Sequence, residues 1–212
     1  GKRVLITAGP THEAIDPVRF IGNYSSGKMG YALAEQAANR GANVTLVSGP
    51  VALSLNHPNI TILPVISAKQ MSEAANSNFE SSDIAIMCAA VADFTPANYA
   101  EKKIKDKQLT SIELVPTIDI AKLLGEQKKK TQTLVGFALE THNEQENAHN
   151  KLLKKNLDFI VLNSLNDKNT GFQFDTNKIT IIDKDNKQSF FELKHKNEVA
   201  TDILNKLEEV LS

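Results

Sequence analysis

Tryptophan is absent from the 212-residue chain, and cysteine occurs once, at Cys88. A lone thiol excludes an internal disulfide framework and fits a reducing, cytoplasmic setting. Neither sign of charge dominates: 24 Lys and Arg against 25 Asp and Glu leave a net charge of -1. That balance lacks the basic footprint on which nucleic-acid binding depends, so no nucleic-acid partner is expected. No apolar run approaches the roughly 18 residues of a membrane span, so no membrane partner is expected either. The five histidines and the carboxylates show no metal-ligand spacing, and no protein-built metal site is expected. Repeats and low-complexity segments are also missing. The opening GKRVLITAG turns β-like too soon for a signal peptide. With no initiator Met, it suggests a domain taken from a longer protein, or a trimmed chain.

What is present alternates. A hydrophobic fraction of 41% and a charged fraction of 23% are ordinary for a globular chain. Arg3 to Thr7, Asn43 to Ser48, Ile60 to Val65 and Asp83 to Ala90 read as strands, the first two closed by Gly-Pro. Between them Met29, Leu33, Ala34, Ala37 and Ala38 recur at helical spacing, and Ser67 stands as the N-cap of a helix running to about Phe79. From Asp93 to about residue 110 the pattern breaks into a Pro-interrupted segment with Lys102, Lys103, Lys105 and Lys107, which reads as a flap insertion. A strand at Ser111 to Val115, a helix from Ile118, a strand at Thr133 to Ala138, a helix from Asn143 to Lys155 and a strand at Leu157 to Asn163 resume the alternation. Lys178 to Asp183 and Ser189 to Leu193 read as a hairpin, followed by an amphipathic helix carrying Val199, Ile203, Leu207 and Val210. The expected architecture is α/β: one domain over residues 1–212, a Rossmann-like, mostly parallel sheet with helices on both faces, the flap insertion, and a C-terminal β-hairpin.

Several nucleotide motifs compete for the opening stretch. Gly22, four residues, Gly27 and Lys28 imitate a P-loop, but Met29 stands where the metal-binding hydroxyl belongs, and the loop begins some fifteen residues after its strand. The dinucleotide fingerprint needs G-x-G-x-x-G after the first strand and a carboxylate near the end of the second. This chain has AGPT and Ser48-Gly49-Pro50 at those places. Tyr99 and Lys103 imitate the Tyr/Lys pair of short-chain dehydrogenases, yet they follow Pro96 in a polar stretch rather than on one helix face. Read as a turn feeding a helix start, Gly22 to Gly30 offers amides to an anion. Taken alone, it also fits an ordinary structural loop.

It is not alone. Thr7-Ala8-Gly9-Pro10-Thr11, Asp16-Pro17-Val18-Arg19, Asn23-x-Ser25-Ser26-Gly27-Lys28-Met29-Gly30, Cys88-Ala89-Ala90-Val91-Ala92-Asp93, Lys103-Ile104-Lys105 and Gly136-Phe137-Ala138-x-Glu140-Thr141 occur in one order. Together they resemble the phosphopantothenoylcysteine synthetase family, in its bacterial form usually fused behind a flavin-dependent decarboxylase. The resemblance runs from Val4 to about Thr180. It implies a ligase joining 4'-phosphopantothenate to L-cysteine through an acyl-cytidylate formed from CTP, with Mg²⁺ arriving on the nucleotide. It also implies a homodimer. Asn23 matches the family's catalytic asparagine, and Lys103 matches a flap lysine that reaches the nucleotide phosphates. Gly9, Ser25, Gly27, Gly30 and Asp93 match nucleotide contacts, as do Phe137, Lys151 and Lys155. Ile118, Asp119, Ile120 and Ala121 stand where the family has Pro-Asp-Ile-Val, a departure at two of the four positions. Ala89 and Ala90 match substrate contacts. The readings from other classes are a non-catalytic nucleotide- or flavin-binding module and an NAD(P)-dependent oxidoreductase.

Overall fold

A computed structural model describes residues 1–105, 111–164 and 174–211. The far end of the expected flap, with Lys107, lies outside the described residues.

β1 (Arg3–Ala8) is followed by two short strands, β2 (His12–Ala14) and β3 (Phe20–Gly22), then α1 (Lys28–Asn39), β4 (Asn43–Ser48), β5 (Ile60–Pro64), α2 (Ala68–Phe79) and β6 (Ile84–Met87). The second half runs β7 (Phe94–Pro96), β8 (Leu114–Pro116), α3 (Ile120–Gln127), β9 (Thr133–Glu140), α4 (Glu144–Lys154), β10 (Phe159–Ser164), β11 (Thr176–Asp183), β12 (Gln188–His195) and α5 (Lys196–Leu211).

Eight of these strands form one sheet in the order β12-β11-β10-β9-β6-β1-β4-β5. Pairing is parallel from β10 through to β5, and antiparallel where β11 joins β10 and β12 joins β11. Alternation along the strands divides the core in two. Val4, Ile6, Val44, Ile86 and Val161 face α1 and α5, whereas Leu5, Val47, Ala85, Leu134 and Ile160 face α2, α3 and α4. Both sides of the central strands are therefore dry, which explains their unbroken apolar runs.

The helices carry their own start and stop signals. In α2, Ser67 accepts from the Gln70 amide while the Gln70 side chain returns to the Ser67 amide, a capping box whose serine contributes about 1 kcal/mol. Asp119 caps α3 through the Lys122 amide. Past the end of α1, Gly41 takes φ +85, the left-handed geometry that stops a helix.

Three details differ from the sequence pattern. The strand expected at Ser111 to Val115 is only β8, and it pairs with β7 in a separate two-stranded ribbon. Its residues are exposed, and Pro96 and Pro116 have no N–H to give a ladder. The strand expected to reach Ala90 ends at Met87, because the Cys88 amide turns back onto the Ile86 carbonyl at 3.2 Å. Ala90 rejoins only as a single bridge to Pro10. Finally, β2 and β3 form a hairpin in a stretch that reads as loop, held by the His12 ring stacked on Phe20 at 3.7 Å.

Candidate active site at the strand switch

From β1 the chain moves outward through β4 and β5, then returns to the opposite side of β1 as β6. The loops leaving β1 and β6 consequently diverge, and a crevice opens beyond the carboxyl ends of these strands. A cavity of about 470 Å³ occupies it.

Its first side is the opening glycine-serine loop. Gly27 takes φ +77 and precedes α1, and no side chain caps that helix. Ser25 Oγ accepts from the Gly27 amide at 3.3 Å, holding the turn that aims the first turn of α1 at the cavity. At Gly30 a methyl group would sit 2.5 Å from Ala8 Cβ, so α1 lies directly on β1 only because position 30 has no side chain.

Opposite is the loop after β6. Asn23 Nδ2 donates to the carbonyls of Ala90 at 3.0 Å and Val91 at 3.1 Å. Two acceptors on one side fix which end of the amide faces them, and they tie the loop from β3 to the loop from β6. The hydroxyls of Thr7 and Thr11 accept from the amides of Ala89 and Ala92. Thr117 donates to the Ala92 carbonyl at 2.6 Å. Asp93 lines the mouth and is exposed. Half-buried Cys88 lines the same cavity, and desolvation pushes its thiol up to about 12. At neutral pH it is a protonated thiol, not a nucleophile.

A third side comes from α3, β9 and α4. Ile118, Asp119, Ile120 and Ala121 line it at the start of α3. Lys155 pairs with Asp119 at 3.0 Å, and Lys151 pairs with buried Glu140 at 2.6 Å. Each ammonium carries three donors, so each can hold its carboxylate and still take a phosphate oxygen. Phe137 lines the cavity from the α1 and α5 face of β9, half-buried against that core. A methyl at Gly136 would lie 2.4 Å from Leu157 Cδ1, so the Leu157 side chain would have to shift.

The remaining side, not anticipated from the sequence, is built by β10, β11 and α5. Asn163, Asn177 and Lys196 line it. Lys196 opens α5, is 5% exposed, and donates from Nζ to the Phe174 carbonyl at 2.6 Å. Desolvation first, and then the Lys28 charge, lower its pKa. Lys28 pairs with Asp175 at 2.6 Å, and that contact holds the Asp175 carboxyl below its ordinary value. Nothing local marks Lys196 in the sequence; a lysine at a helix start is usually solvated.

Gly9 and Lys103 do not line the cavity. Gly9 takes φ +79 beside Gly49 and Val51, and its carbonyl accepts from the Ala90 amide at 2.9 Å, so its place is in the crossing of the strand-end turns. Lys103 is exposed on the segment after β7. The root of that segment is held by Asp16. The buried Asp16 carboxylate accepts from the Arg19 guanidinium, from the Val18 and Arg19 amides and from the Ile104 amide. The Arg19 hydrogen bond leads the contacts that hold Asp16 well below the usual carboxylate range. A carboxyl depressed in the folded state stabilises fully above its unfolded value of about 3.9. That contribution is lost as pH falls from there towards the folded value. Between pH 5 and pH 3 the urea midpoint of the protein should therefore fall more steeply than that of Asp16→Asn. Parallel slopes would refute this role for Asp16.

Fold and cavity together define a doubly wound α/β protein with a cavity at its strand switch. The chain belongs to the family described as DNA/pantothenate metabolism flavoprotein C-terminal domain, whose profile matches residues 1–211. It is 50% identical over 209 residues to the coenzyme A biosynthesis bifunctional protein CoaBC of Bacillus subtilis (strain 168), covering 98% of this chain and 51% of that protein. A cysteine/cysteine sulfinic acid decarboxylase from an unknown prokaryotic organism is 58% identical over 208 residues, covering 98% of this chain and 58% of that one. The crystal structure of the C-terminal domain of a coenzyme A biosynthesis bifunctional protein CoaBC superposes with a TM-score of 0.85 at 46% identity, covering 100% of this chain and 96% of that chain. The chain thus spans about half the length of the curated relatives it matches.

Proposed function

We propose that this chain is a ligase of coenzyme A biosynthesis that joins 4'-phosphopantothenate to L-cysteine at the expense of CTP. One observation carries the reading. A single cavity at the strand switch gathers the Asn23 to Gly30 loop, the Cys88 to Asp93 loop, the start of α3, Phe137 and two α4 lysines. A non-catalytic nucleotide binder has no need for an acyl-binding loop tied to the phosphate loop, and Asn23 makes that tie.

In the first step a carboxylate oxygen of 4'-phosphopantothenate attacks the α-phosphorus of CTP, and pyrophosphate leaves with the bonding pair. In the second the amine nitrogen of cysteine attacks the acyl carbon, CMP leaves with the C–O pair, and the amine gives up a proton. Negative charge grows on phosphate and acyl oxygens in both steps, so preorganised donors do most of the work. Ser25, Gly27, Gly30 and the α1 start receive the phosphates; Lys151 and Lys155 add cations. Phe137 and residues 118–121 hold the base, and Asp93 binds ribose hydroxyls. Ala89 and Ala90 let their backbone approach the acyl group. Asn23 turns one of its two N–H donors from a loop carbonyl to the developing oxyanion. Lys103 joins when the segment from residue 93 onward closes over the triphosphate.

No group of three or more His, Cys, Asp or Glu that could hold a metal ion is present among the described residues. Mg²⁺ would arrive with the nucleotide, whose phosphate charge it neutralises. Fusion behind a flavin-dependent decarboxylase, a homodimeric state and a cytoplasmic location complete the proposal. No helix among the described residues is long and apolar enough to cross a membrane.

The test is turnover. With 4'-phosphopantothenate, Mg²⁺ and CTP, the protein should release pyrophosphate, and adding cysteine should convert the acyl-cytidylate to the amide and CMP. Carbon dioxide released from cysteine without pyrophosphate would assign a decarboxylase activity to this segment instead and sink the proposal.

A further inference from the structure

The two helices on the α3 and α4 side of the cavity meet at one turn. α4 stops at Asn156, which takes φ +51, and the amides of Asn156 and Leu157 return to the carbonyls of Leu153 and Leu152. That pattern ends a helix on a residue in the left-handed region, usually glycine and sometimes asparagine. Here asparagine has a second use. Its Nδ2 donates to the Gly125 carbonyl of α3 at 2.8 Å. Gly125 lies in the last turn of α3, where carbonyls have no donor within the helix. The amide four residues further on, that of Lys129, is given instead to Gln132 Oε1 at 2.9 Å. One side chain thus completes the ends of two helices.

The junction is close, and it grips α3 at two points. A methyl group at Gly125 would lie 1.9 Å from the Lys155 carbonyl oxygen, so the α3 backbone rests directly on the peptide between Lys155 and Asn156. At the other end of α3, Lys155 Nζ pairs with Asp119 Oδ1 at 3.0 Å, and Asp119 caps the helix through the Lys122 amide. α3 has eight residues, a length of about 12 Å, and two consecutive residues at the end of α4 hold both its ends. Residues 118–121 and Lys155 line the cavity, whereas Gly125 and Asn156 do not.

We propose that Asn156 is a positioning residue for the nucleotide: by holding the last turn of α3 against Lys155, it sets where residues 118–121 and the Lys155 ammonium stand in the cavity. The inference rests on the nucleotide placement given above and extends it to a residue outside the cavity wall. Without the Asn156 donor the Gly125 carbonyl is left unpaired, and α3 can pivot about the Asp119 and Lys155 pair. The nucleotide then meets its groups out of register. The other sides of the cavity come from different elements and stay in place.

The test is Asn156→Gly. Glycine keeps the left-handed turn without strain and removes only the side-chain donor. The KM of CTP should rise about 3- to 10-fold, the equivalent of one hydrogen bond, while kcat and the KM values of cysteine and 4'-phosphopantothenate stay within about twofold. A role confined to stability gives the reverse, since unfolding removes active molecules and lowers apparent kcat at constant KM. Asn156→Asp also tolerates the left-handed region but has no N–H to give, and its carboxylate faces the Gly125 carbonyl, so the rise should be larger. Read in the same way, it decides if the glycine variant lacks a cooperative melting transition. An unchanged KM of CTP overturns the proposal, and so does an equal rise in the KM of cysteine. Lys155→Gln separates this failure from that of the nucleotide placement. If Lys155→Gln raises the KM of CTP and Asn156→Gly does not, Asn156 is a helix stop and nothing more. If neither raises it, the nucleotide does not lie on the α3 and α4 side, and the positioning role falls with that placement.

Discussion

Asn23→Asp should retain the fold and lose ligation by about 10²–10³ in kcat, the usual cost of removing an oxyanion donor. The Asn23 side chain is exposed and its Nδ2 spans the carbonyls of Ala90 and Val91. A carboxylate at that position has no hydrogen to give either carbonyl and turns the contact repulsive. It also places a negative charge beside the acyl centre, where charge of the same sign develops. Stability should fall only modestly, by about 1–2 kcal/mol, because the two hydrogen bonds lost are at an exposed side chain. Measuring product formation and Tm on the same preparation separates the two effects. Near-normal product from a folded Asn23→Asp variant removes Asn23 from the mechanism.

Gly30→Ala should be the costliest small substitution in the cavity wall. The new methyl group would stand 2.5 Å from Ala8 Cβ and 3.1 Å from Ala8 Cα, with backbone and a short rigid side chain as neighbours. Neither can rotate away, so α1 must lift from β1. Overpacking of this kind costs about 1–3 kcal/mol, and each kcal/mol shifts Tm by about 2–4 °C at this chain length. The lift also moves the phosphate-facing turn at Gly27, so the KM of CTP should rise with it. Ala8→Gly in the same chain removes the closest contact and should recover most of the lost Tm. A Gly30→Ala protein that melts like the parent would show that the helix is not pinned there.

The strands, the helix caps and the glycine-serine loop were legible because each is written locally. β-branched runs, Ser67 before α2, and Gly41 after α1 state their structure within a few residues. Much of the cavity was legible for a different reason: the Asn23 to Gly30 and Cys88 to Asp93 stretches resemble a family whose site is known. Asn163, Asn177 and Lys196 were not legible. They come from three elements, and what makes them a recess is the hairpin joining the sheet edge, a tertiary event with no local signature. Gly9 shows the converse. Its motif reads as ligand-binding, while its place beside Gly49 and Val51 answers to backbone crossing. Lys103 stays outside the cavity because its segment is rooted on Asp16, a contact spanning 88 residues that no window of sequence contains.

The cavity draws its lining from Thr7 near one end of the chain to Lys196 near the other. During synthesis, therefore, β1, α1 and β4 can pair early, but the cavity lacks one of its sides until β10, β11 and the start of α5 have emerged. Loop closure over such separations is slow, and it comes late in folding. Shortening the chain before Lys196 therefore removes a wall of the pocket rather than an appendage.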